Sequence, residues 1–176
     1  KNQVKRLTAL TEKLVFLSRM DEESTKLIML DFSISDAVLE VAQGFEAVAT
    51  SQGKTLNLDI DNNLSYCGDE TTIRQLVSLL IDNAMKYSDE NGKITVSLKS
   101  NGKSRIITVT NSVDKIEKGK HDELFERFYR ADSSRNSETG GHGIGLSVVK
   151  AIANAHKGKA ICYSNDENSI TFKITL

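Results

Sequence analysis

The sequence of 176 residues contains no proline, only two cysteines and no long hydrophobic run. Its net charge of −1 gives no electrostatic basis for binding nucleic acid, so no nucleic-acid partner is expected. No apolar segment has the roughly 20 residues that a transmembrane helix needs, and no signal-peptide pattern is present. These absences favour a soluble domain, and the length fits a single domain with a sizeable core.

The cysteines, Cys67 and Cys162, lie far apart in the sequence, and neither belongs to a metal-binding spacing. One disulfide is possible, but two reduced thiols in a cytosolic domain are the expected arrangement, because disulfides persist mainly in oxidising compartments. The three histidines, His121, His142 and His156, show no metal-site spacing either. The first residue is lysine rather than methionine, which indicates an excised or processed piece of a protein.

The most distinctive stretch is Gly140–Leu146, in which four of seven residues are glycine. The polar segment Asp132–Thr139 precedes it and is expected to be mobile without a ligand, and an amphipathic helix pattern follows it. Glycines let backbone N–H groups approach phosphate oxygens, and a helix N-terminus adds free donors and the positive end of a dipole. The stretch therefore predicts a phosphate site, with a simple glycine hinge as the alternative.

Several known phosphate loops are absent from the sequence. No Gly-Lys-Ser/Thr follows the glycines, so the stretch is not a P-loop, and its spacing fits a dinucleotide fingerprint poorly. The HRD and DFG motifs of Ser/Thr/Tyr protein kinases are also missing. The kind of phosphate site therefore depends on the rest of the chain.

Hydrophobic periodicity predicts an α+β fold. Helices are predicted at about 3–19, at 36–51 with Ser35 as N-cap, at 70–87 with Asp69 as N-cap, and from the glycine stretch to Gly158. Strands are predicted at 27–32, 56–60, 64–67, 94–98, 107–109, 160–163 and 170–176, and Asn91-Gly92 is a hairpin signal. These elements predict a two-layer α/β sandwich, with one mixed, mostly antiparallel sheet and about three helices on one face.

The first predicted helix carries a narrow apolar stripe formed by Leu7, Leu10, Leu14 and Leu17. A stripe of this width is typical of a seam in a coiled coil or helix bundle. It could also pack on the core of its own domain. We expect a seam against another helix, because the stripe precedes every strand signal.

Three motifs, in this order, resemble those of bacterial sensor histidine kinases. Arg74–Leu76 leading to Leu80–Ser88 resembles their N box, Phe125–Arg130 their F box and Gly141–Leu146 their second glycine box. The resemblance implies that residues 25–176 are the catalytic ATP-binding domain, with the Bergerat-type fold shared with gyrase-type ATPases and Hsp90. It also implies that residues 1–24 end the dimerisation and phosphoacceptor hairpin.

The resemblance assigns roles to the motif residues. Asn83 is the implied ligand of Mg²⁺, a hard cation that prefers oxygen ligands. Lys86 would neutralise phosphate charge, Tyr87 would flank the nucleotide, and Arg130 would reach the terminal phosphate from the lid, while the motif phenylalanines would anchor the lid in the core. The implied ATP-binding residues are Asn83, Lys86, Tyr87, Asn111, Ile116, Arg130, Gly141, His142, Gly143, Ile144, Gly145 and Leu146, and the motif phenylalanines are Phe125 and Phe128.

Four of these residues also have an ordinary structural interpretation. Asn83 could be a helix asparagine bonded to nearby backbone, Lys86 a solvated lysine and Tyr87 an aromatic at the edge of the core. Arg130 could form a surface ion pair with Asp132, which would contribute little to stability.

The chain departs from the family at the first glycine box. The aspartate position is Asn111, the glycine positions are Val113 and Lys115, and the closing isoleucine is kept as Ile116. In the family the aspartate accepts a hydrogen bond from the adenine amino group, and a neutral asparagine accepts it about 1 kcal/mol more weakly. An asparagine can also turn its amide and donate to the carbonyl of guanine. Near the C-terminus, Ser169-Ile170 replaces Gly-Thr and removes one possible polar contact.

The resemblance implies a protein-histidine kinase that uses ATP and Mg²⁺ and donates the γ-phosphoryl group to a histidine on the dimerisation helix. Its implied partners are its own dimerisation domain, in a homodimer, and the receiver domain of a response regulator. No histidine of this chain lies at the acceptor position, so the chain by itself is expected to be inactive. The domain is expected on the cytoplasmic side of a membrane-anchored receptor.

Two rival functions remain open. The altered first glycine box motivates a nucleotide-binding or scaffolding module without kinase activity. A serine kinase of the anti-sigma type would share the fold, but the N-terminal leucine stripe argues against it.

Overall fold

A computed structural model describes residues 7–8, 11–12, 14–18, 27–129 and 143–176. The strands are β1 Leu30–Ser33, β2 Thr55–Ile60, β3 Ser65–Gly68, β4 Lys93–Asn101, β5 Ser104–Ser112, β6 Gly119–Lys120, β7 Lys159–Ser164 and β8 Ser169–Thr175. The main sheet has six strands in the order β2-β4-β5-β8-β7-β6, and β1 pairs with β3 in a separate two-stranded ladder. Only the β2–β4 pair is parallel among these described strands.

The helices are α1 Ile34–Gln43, α2 Glu46–Ser51, α3 Glu70–Tyr87 and α4 Gly145–Ala155, with a 3₁₀ turn at Asp122–Phe125. Alternate residues of β4 and β5 point to one buried face of the sheet, and α3 covers it with a stripe at helical spacing. The fully buried members of this core include Ile73, Leu76, Leu80, Ile94, Val96, Leu98, Ile107 and Val109. The predicted α+β sandwich with helices on one face is therefore confirmed.

The predicted helix over 36–51 is two helices, α1 and α2. Gly44 ends α1, and its N–H donates to the carbonyl of Glu40. The α1 helix also begins earlier than predicted, because Ser33 rather than Ser35 is its N-cap and accepts from the Asp36 N–H at 3.2 Å.

The hairpin predicted at Asn91-Gly92 is not formed, because these residues connect α3 to β4. Asn91 has a φ of 56°, and a Cβ on Gly92 would lie 2.6 Å from Oδ1 of Asp89. Asparagine and glycine suit any tight turn that needs such a backbone, whether a strand or a helix precedes it.

At Leu17 the leucine stripe packs on its own domain, which was the alternative to a seam against another helix. The described residues of 7–18 are helical, and Leu17 is only 2% exposed and belongs to the core. Leu7 and Leu14 remain 67% and 39% exposed, and Leu10 lies outside the described residues. Burying one leucine stabilises by about 1.5–3 kcal/mol, so the stripe docks where its own core offers apolar surface.

Two further features concern the cysteines and the membrane. Cys67 is exposed and Cys162 is buried, and both are free thiols, as expected. Burial, and to a lesser extent the nearby Asp122 and Glu123, raises the pKa of the Cys162 thiol far above its usual range. In the part of the chain that the structure describes, no helix has both the length and the apolar composition needed to cross a membrane.

Candidate functional site

The predicted site residues of the N box, Asn83, Lys86 and Tyr87, occupy the last two turns of α3. Asn83 is half-buried, and its side chain shows no hydrogen bond to any residue that the structure describes. Its amide oxygen is therefore free, which removes the alternative of an asparagine bonded to nearby backbone. Tyr87, the last residue of α3, is 40% exposed at the same end of the helix.

Lys86 forms an ion pair with Asp82, with Nζ 2.5 Å from Oδ2. Both side chains are more than a third exposed, so the pair contributes at most about 1 kcal/mol and a phosphate could compete for the lysine. Lys86 is thus a paired lysine rather than a simply solvated one.

The start of α4 lies against α3 close to Asn83. A Cβ placed on Gly145, the first residue of α4, would lie 3.8 Å from Cδ2 of Leu79. Asn83 follows Leu79 by four residues, which places it one turn further along a neighbouring part of the same helix face. The glycine stretch and the N box therefore meet.

The first turn of α4 carries no side-chain cap. Its N-cap residue is Ile144, which is buried and makes no capping hydrogen bond through its side chain. The first backbone N–H groups of a helix have no intrahelical partner, so they remain available to an anion. Ile144 and the half-buried Leu146 fix the loop to the core on either side of Gly145.

Gly143 is required by the backbone itself. It has a φ of 66°, and a Cβ there would lie 3.0 Å from the carbonyl oxygen of Tyr129 and 3.1 Å from Cα of Phe128. Its carbonyl accepts a hydrogen bond from the Phe128 N–H at 3.0 Å. The glycine stretch is thus fastened to the end of the F box.

Three predicted site residues, Arg130, Gly141 and His142, lie outside the described residues, as does the predicted lid Asp132–Thr139. Their roles stay predictions.

The F box behaves as predicted at Phe125 but not at Phe128. Phe125 is 1% exposed and packs edge-to-face on Phe172, with ring centroids 6.0 Å apart. The prediction that Phe128 anchors in the core was wrong, because its side chain is 63% exposed. Its φ of 63° places the backbone in the left-handed region while its N–H bonds to Gly143.

Asn111 is fully buried near the end of β5, between Ile94 of β4 and Ile170 of β8. Its Nδ2 donates to the carbonyl of Ser112 at 3.0 Å, whereas its Oδ1 has no hydrogen-bond partner. A buried acceptor without a partner is rare in folded proteins. It fits the predicted contact with an adenine amino group.

The end of β5 is joined to the end of α3. Ser112 Oγ donates to the carboxylate of Asp89 and accepts from the Lys93 N–H at 2.9 Å. Asn111 is therefore close in the fold to the helix end that carries Asn83 and Tyr87.

Backbone hydrogen bonds hold the altered first glycine box without its glycines. The N–H groups of Val113 and Ile116 donate to the carbonyls of Asn168 and Glu167, both at 2.9 Å. Neither Val113 nor Lys115 has a positive φ, so neither position needs glycine. Ile116 is half-buried against the core, as an apolar wall of the site would be.

Two residues that tie the site together were not predicted. The first is Lys54, whose Nζ donates to the carbonyl of Met85 at 2.5 Å and to Oγ of Ser88 at 2.8 Å. It thereby caps the end of α3, next to the N box. Burial lowers the pKa of Lys54, although Asp89 partly offsets this effect.

The second is His156, which joins the beginning of α3 to the end of α4. Its Nε2 accepts from the Asp69 N–H at 3.0 Å, and its Nδ1 donates to the carbonyl of Ile152 at 2.9 Å. The contact with Asp69 joins distant parts of the chain, and the contact with Ile152 lies at a helix end. The sequence carries no spacing signal for either contact.

The residues present fit one magnesium ion that is held mainly by the phosphates of the nucleotide. Within the described residues no cluster of three or more His, Cys, Asp or Glu could hold a metal. Mg²⁺ needs few protein ligands when phosphates and waters complete its shell, and the free amide oxygen of Asn83 suits this role.

The comparisons with known proteins agree with this geometry. A sequence profile for the family described as "Histidine kinase-, DNA gyrase B-, and HSP90-like ATPase" matches residues 68–176. The sensor protein DltS of Streptococcus agalactiae is 34% identical over 166 residues, which cover 94% of this chain and 42% of DltS. The chain therefore spans less than half the length of this curated relative.

Two solved structures are similar over most of the chain. The histidine kinase AdeS of Acinetobacter baumannii has a TM-score of 0.80 and 28% identity, covering 99% of this chain and 80% of that chain. The catalytic domain of the histidine kinase ThkA has a TM-score of 0.72 and 26% identity, covering 85% of this chain and 95% of that chain.

Proposed function

The chain belongs to the histidine kinase-, DNA gyrase B- and HSP90-like ATPases, as a catalytic domain of the sensor histidine kinase type, and from this premise we propose how it acts. It binds ATP with Mg²⁺ and donates the γ-phosphoryl group to a histidine on a dimerisation helix. The proposal rests on three polar groups that lie on or next to the C-terminal half of α3 and have no hydrogen-bond partner among the described residues. These are the amide oxygens of Asn83 and Asn111 and the uncapped start of α4.

Each group has one task in this proposal. Asn111 accepts from the adenine amino group, Tyr87 and Ile116 flank the base, and the N–H groups that begin at Gly145 bind phosphate oxygens. Asn83 would hold Mg²⁺, which would supply neutralisation of the charge that develops during transfer. Lys86 leaves Asp82 to pair with phosphate.

The lid completes the proposed phosphate site. By resemblance, Arg130 would reach the terminal phosphate, and Gly141 and His142 would belong to the same ATP site. Phosphoryl transfer needs mainly positioning and charge neutralisation, so no nucleophile is required from this chain.

The partners are proposed on the same basis. Residues 1–24 form the end of the dimerisation and phosphoacceptor hairpin of a homodimer, and the exposed Leu7 and Leu14 face the other helices of that bundle. Residues 25–176 then receive the nucleotide. A response-regulator receiver domain accepts the phosphoryl group from the hairpin histidine, on the cytoplasmic side of a membrane-anchored receptor.

The experiment that tests this function uses γ-labelled ATP and Mg²⁺ with the chain alone and with the dimerisation hairpin of its intact kinase. We expect acid-labile, alkali-stable label on the hairpin only, and its loss in Asn83→Ala. The matched control is Asn154→Ala, at an exposed asparagine on α4. Label on the chain alone would contradict the absence of an acceptor histidine, and nucleotide binding without any label would favour the scaffolding module.

A further inference from the structure

Two buried side-chain oxygens have no hydrogen-bond partner among the described residues, and only one of them has a task in the proposed function. They are Oδ1 of Asn111 and Oγ of Ser164, at residues that are 0% and 3% exposed. Buried polar groups are nearly always hydrogen-bonded, because a buried group that loses its hydrogen bonds to water needs others to replace them. An orphaned hydroxyl at Ser164 therefore calls for a partner that enters from outside the fold.

The strand register places both oxygens in one row across the sheet. Asn111 lies opposite Ile170 in the β5–β8 pair. Tyr163 lies opposite Thr171 in the β7–β8 pair, so Ser164, the next residue, comes beside Ile170 on its other side. All three side chains are buried on the face that the helices cover.

The dimensions of this row suit a planar base. Two strand spacings separate the backbones of Asn111 and Ser164, a span of roughly 10 Å. Ile170 lies between them as an apolar floor, so the row is polar at both ends and apolar in the middle. A purine ring has this pattern, with an apolar face and acceptor or donor atoms along its edges.

We propose that the Ser164 hydroxyl donates a hydrogen bond to a ring nitrogen of the bound purine, at the edge opposite the one that Asn111 holds. Ser164 is then a second residue that determines base recognition, on a strand outside the three sequence motifs. This inference rests on the proposed binding of ATP.

The test compares Ser164→Ala with Ser35→Ala, which removes an equally buried hydroxyl that has partners. Ser35 Oγ donates to the carbonyl of Asp61 at 2.6 Å and accepts from the Leu64 N–H at 2.9 Å, at the opposite end of the sheet. Calorimetry with ATP and ADP gives the dissociation constants, and thermal unfolding without nucleotide gives Tm.

Ser164→Ala should raise the dissociation constants for ATP and ADP by the same factor, about fivefold, the loss of one neutral hydrogen bond. Its Tm without nucleotide should stay the same or rise, because an unpaired buried hydroxyl is removed. Ser35→Ala should lower Tm and leave both constants unchanged. Ser164→Thr, which keeps the hydroxyl, should bind as the wild type does and covers the case in which the alanine variant fails to fold.

Three results would overturn the inference while the wild type still binds ATP. These are unchanged constants in Ser164→Ala, an effect on ATP but not ADP, and a Ser164→Thr variant that folds but loses binding. A wild type that binds no nucleotide would instead refute the proposed function itself.

Discussion

The amide of Asn111 is held in one orientation. Because its Nδ2 donates to the carbonyl of Ser112, its Oδ1 is the atom presented to a base. Turning the amide to serve guanine would break that bond, at a cost of about 1 kcal/mol. The sequence alone left this turn open, and the structure opposes it, so we expect this asparagine to favour ATP over GTP.

Substitutions at Asn111 test this contact. Asn111→Ala should weaken ATP binding by about 1–2 kcal/mol, because the adenine amine loses its acceptor. Asn111→Asp should weaken GTP binding more than ATP binding, since a carboxylate accepts with charge and cannot donate. Titration of the three proteins with both nucleotides provides the measurement, and identical constants throughout would show that Asn111 does not touch the base.

Alanine substitutions at Gly143 and Gly145 can be compared with each other. Gly143→Ala should destabilise the fold by about 1–3 kcal/mol, because it combines a left-handed backbone with a contact at 3.0 Å to backbone. Gly145→Ala meets only a side chain at 3.8 Å and should be neutral or slightly stabilising at the start of a helix. Thermal unfolding of both variants decides the matter, and equal losses of Tm would refute the assignment of Gly143.

Among the helices, α3 carries most of the site, and Asp69 fixes its beginning. Asp69 accepts from the N–H groups of Thr72 at 3.0 Å and Ile28 at 2.9 Å. Burial raises the pKa of this carboxyl, but the hydrogen bonds from Thr72 and Ile28 outweigh it and hold the pKa below its ordinary 3.8. The stabilisation is therefore complete above pH 3.8 and is lost as the pH falls through the lower folded value.

Asp69→Ala should cost about 1 kcal/mol of unfolding free energy at neutral pH, as the loss of a helix cap does. The difference from the wild type should stay constant from about pH 7 to pH 5 and shrink below about pH 4. Denaturant unfolding across this range is the measurement. A difference that grows in acid would contradict the role of the carboxylate.

The elements that the sequence predicted well are those with local signals. Helix α3 was placed with its cap because Ile73, Leu76 and Leu80 repeat at helical spacing behind Asp69. The break at Gly44 was missed, because the apolar pattern runs on through it. Pattern alone does not show where a helix turns.

The contacts of Lys54 and His156, in contrast, have no local sequence signal. Lys54 reaches Met85, and His156 reaches Asp69. Each pair is set by packing between elements far apart in the chain, which no local spacing encodes. The motifs predict most of the proposed site residues, but they do not show what holds the helix that carries them.

Considered together, the two helices and the sheet edge form one frame around the proposed nucleotide. His156 joins α3 and α4 at one end, Leu79 and Gly145 meet at the other, and Ser112 ties β5 to the α3–β4 connection through Asp89. We expect a base and magnesium site whose affinity is modest, because its base acceptor is neutral.

Calorimetry of this chain with a non-hydrolysable ATP analogue tests that account most directly, with and without Mg²⁺ and alongside Asn83→Ala and Asn154→Ala. The wild type and Asn154→Ala should bind the analogue with modest affinity, more tightly with Mg²⁺, and gain Tm as bound ligand stabilises the fold. Asn83→Ala should lose most of the Mg²⁺ dependence. No heat and no rise in Tm for the wild type at millimolar nucleotide would contradict the account.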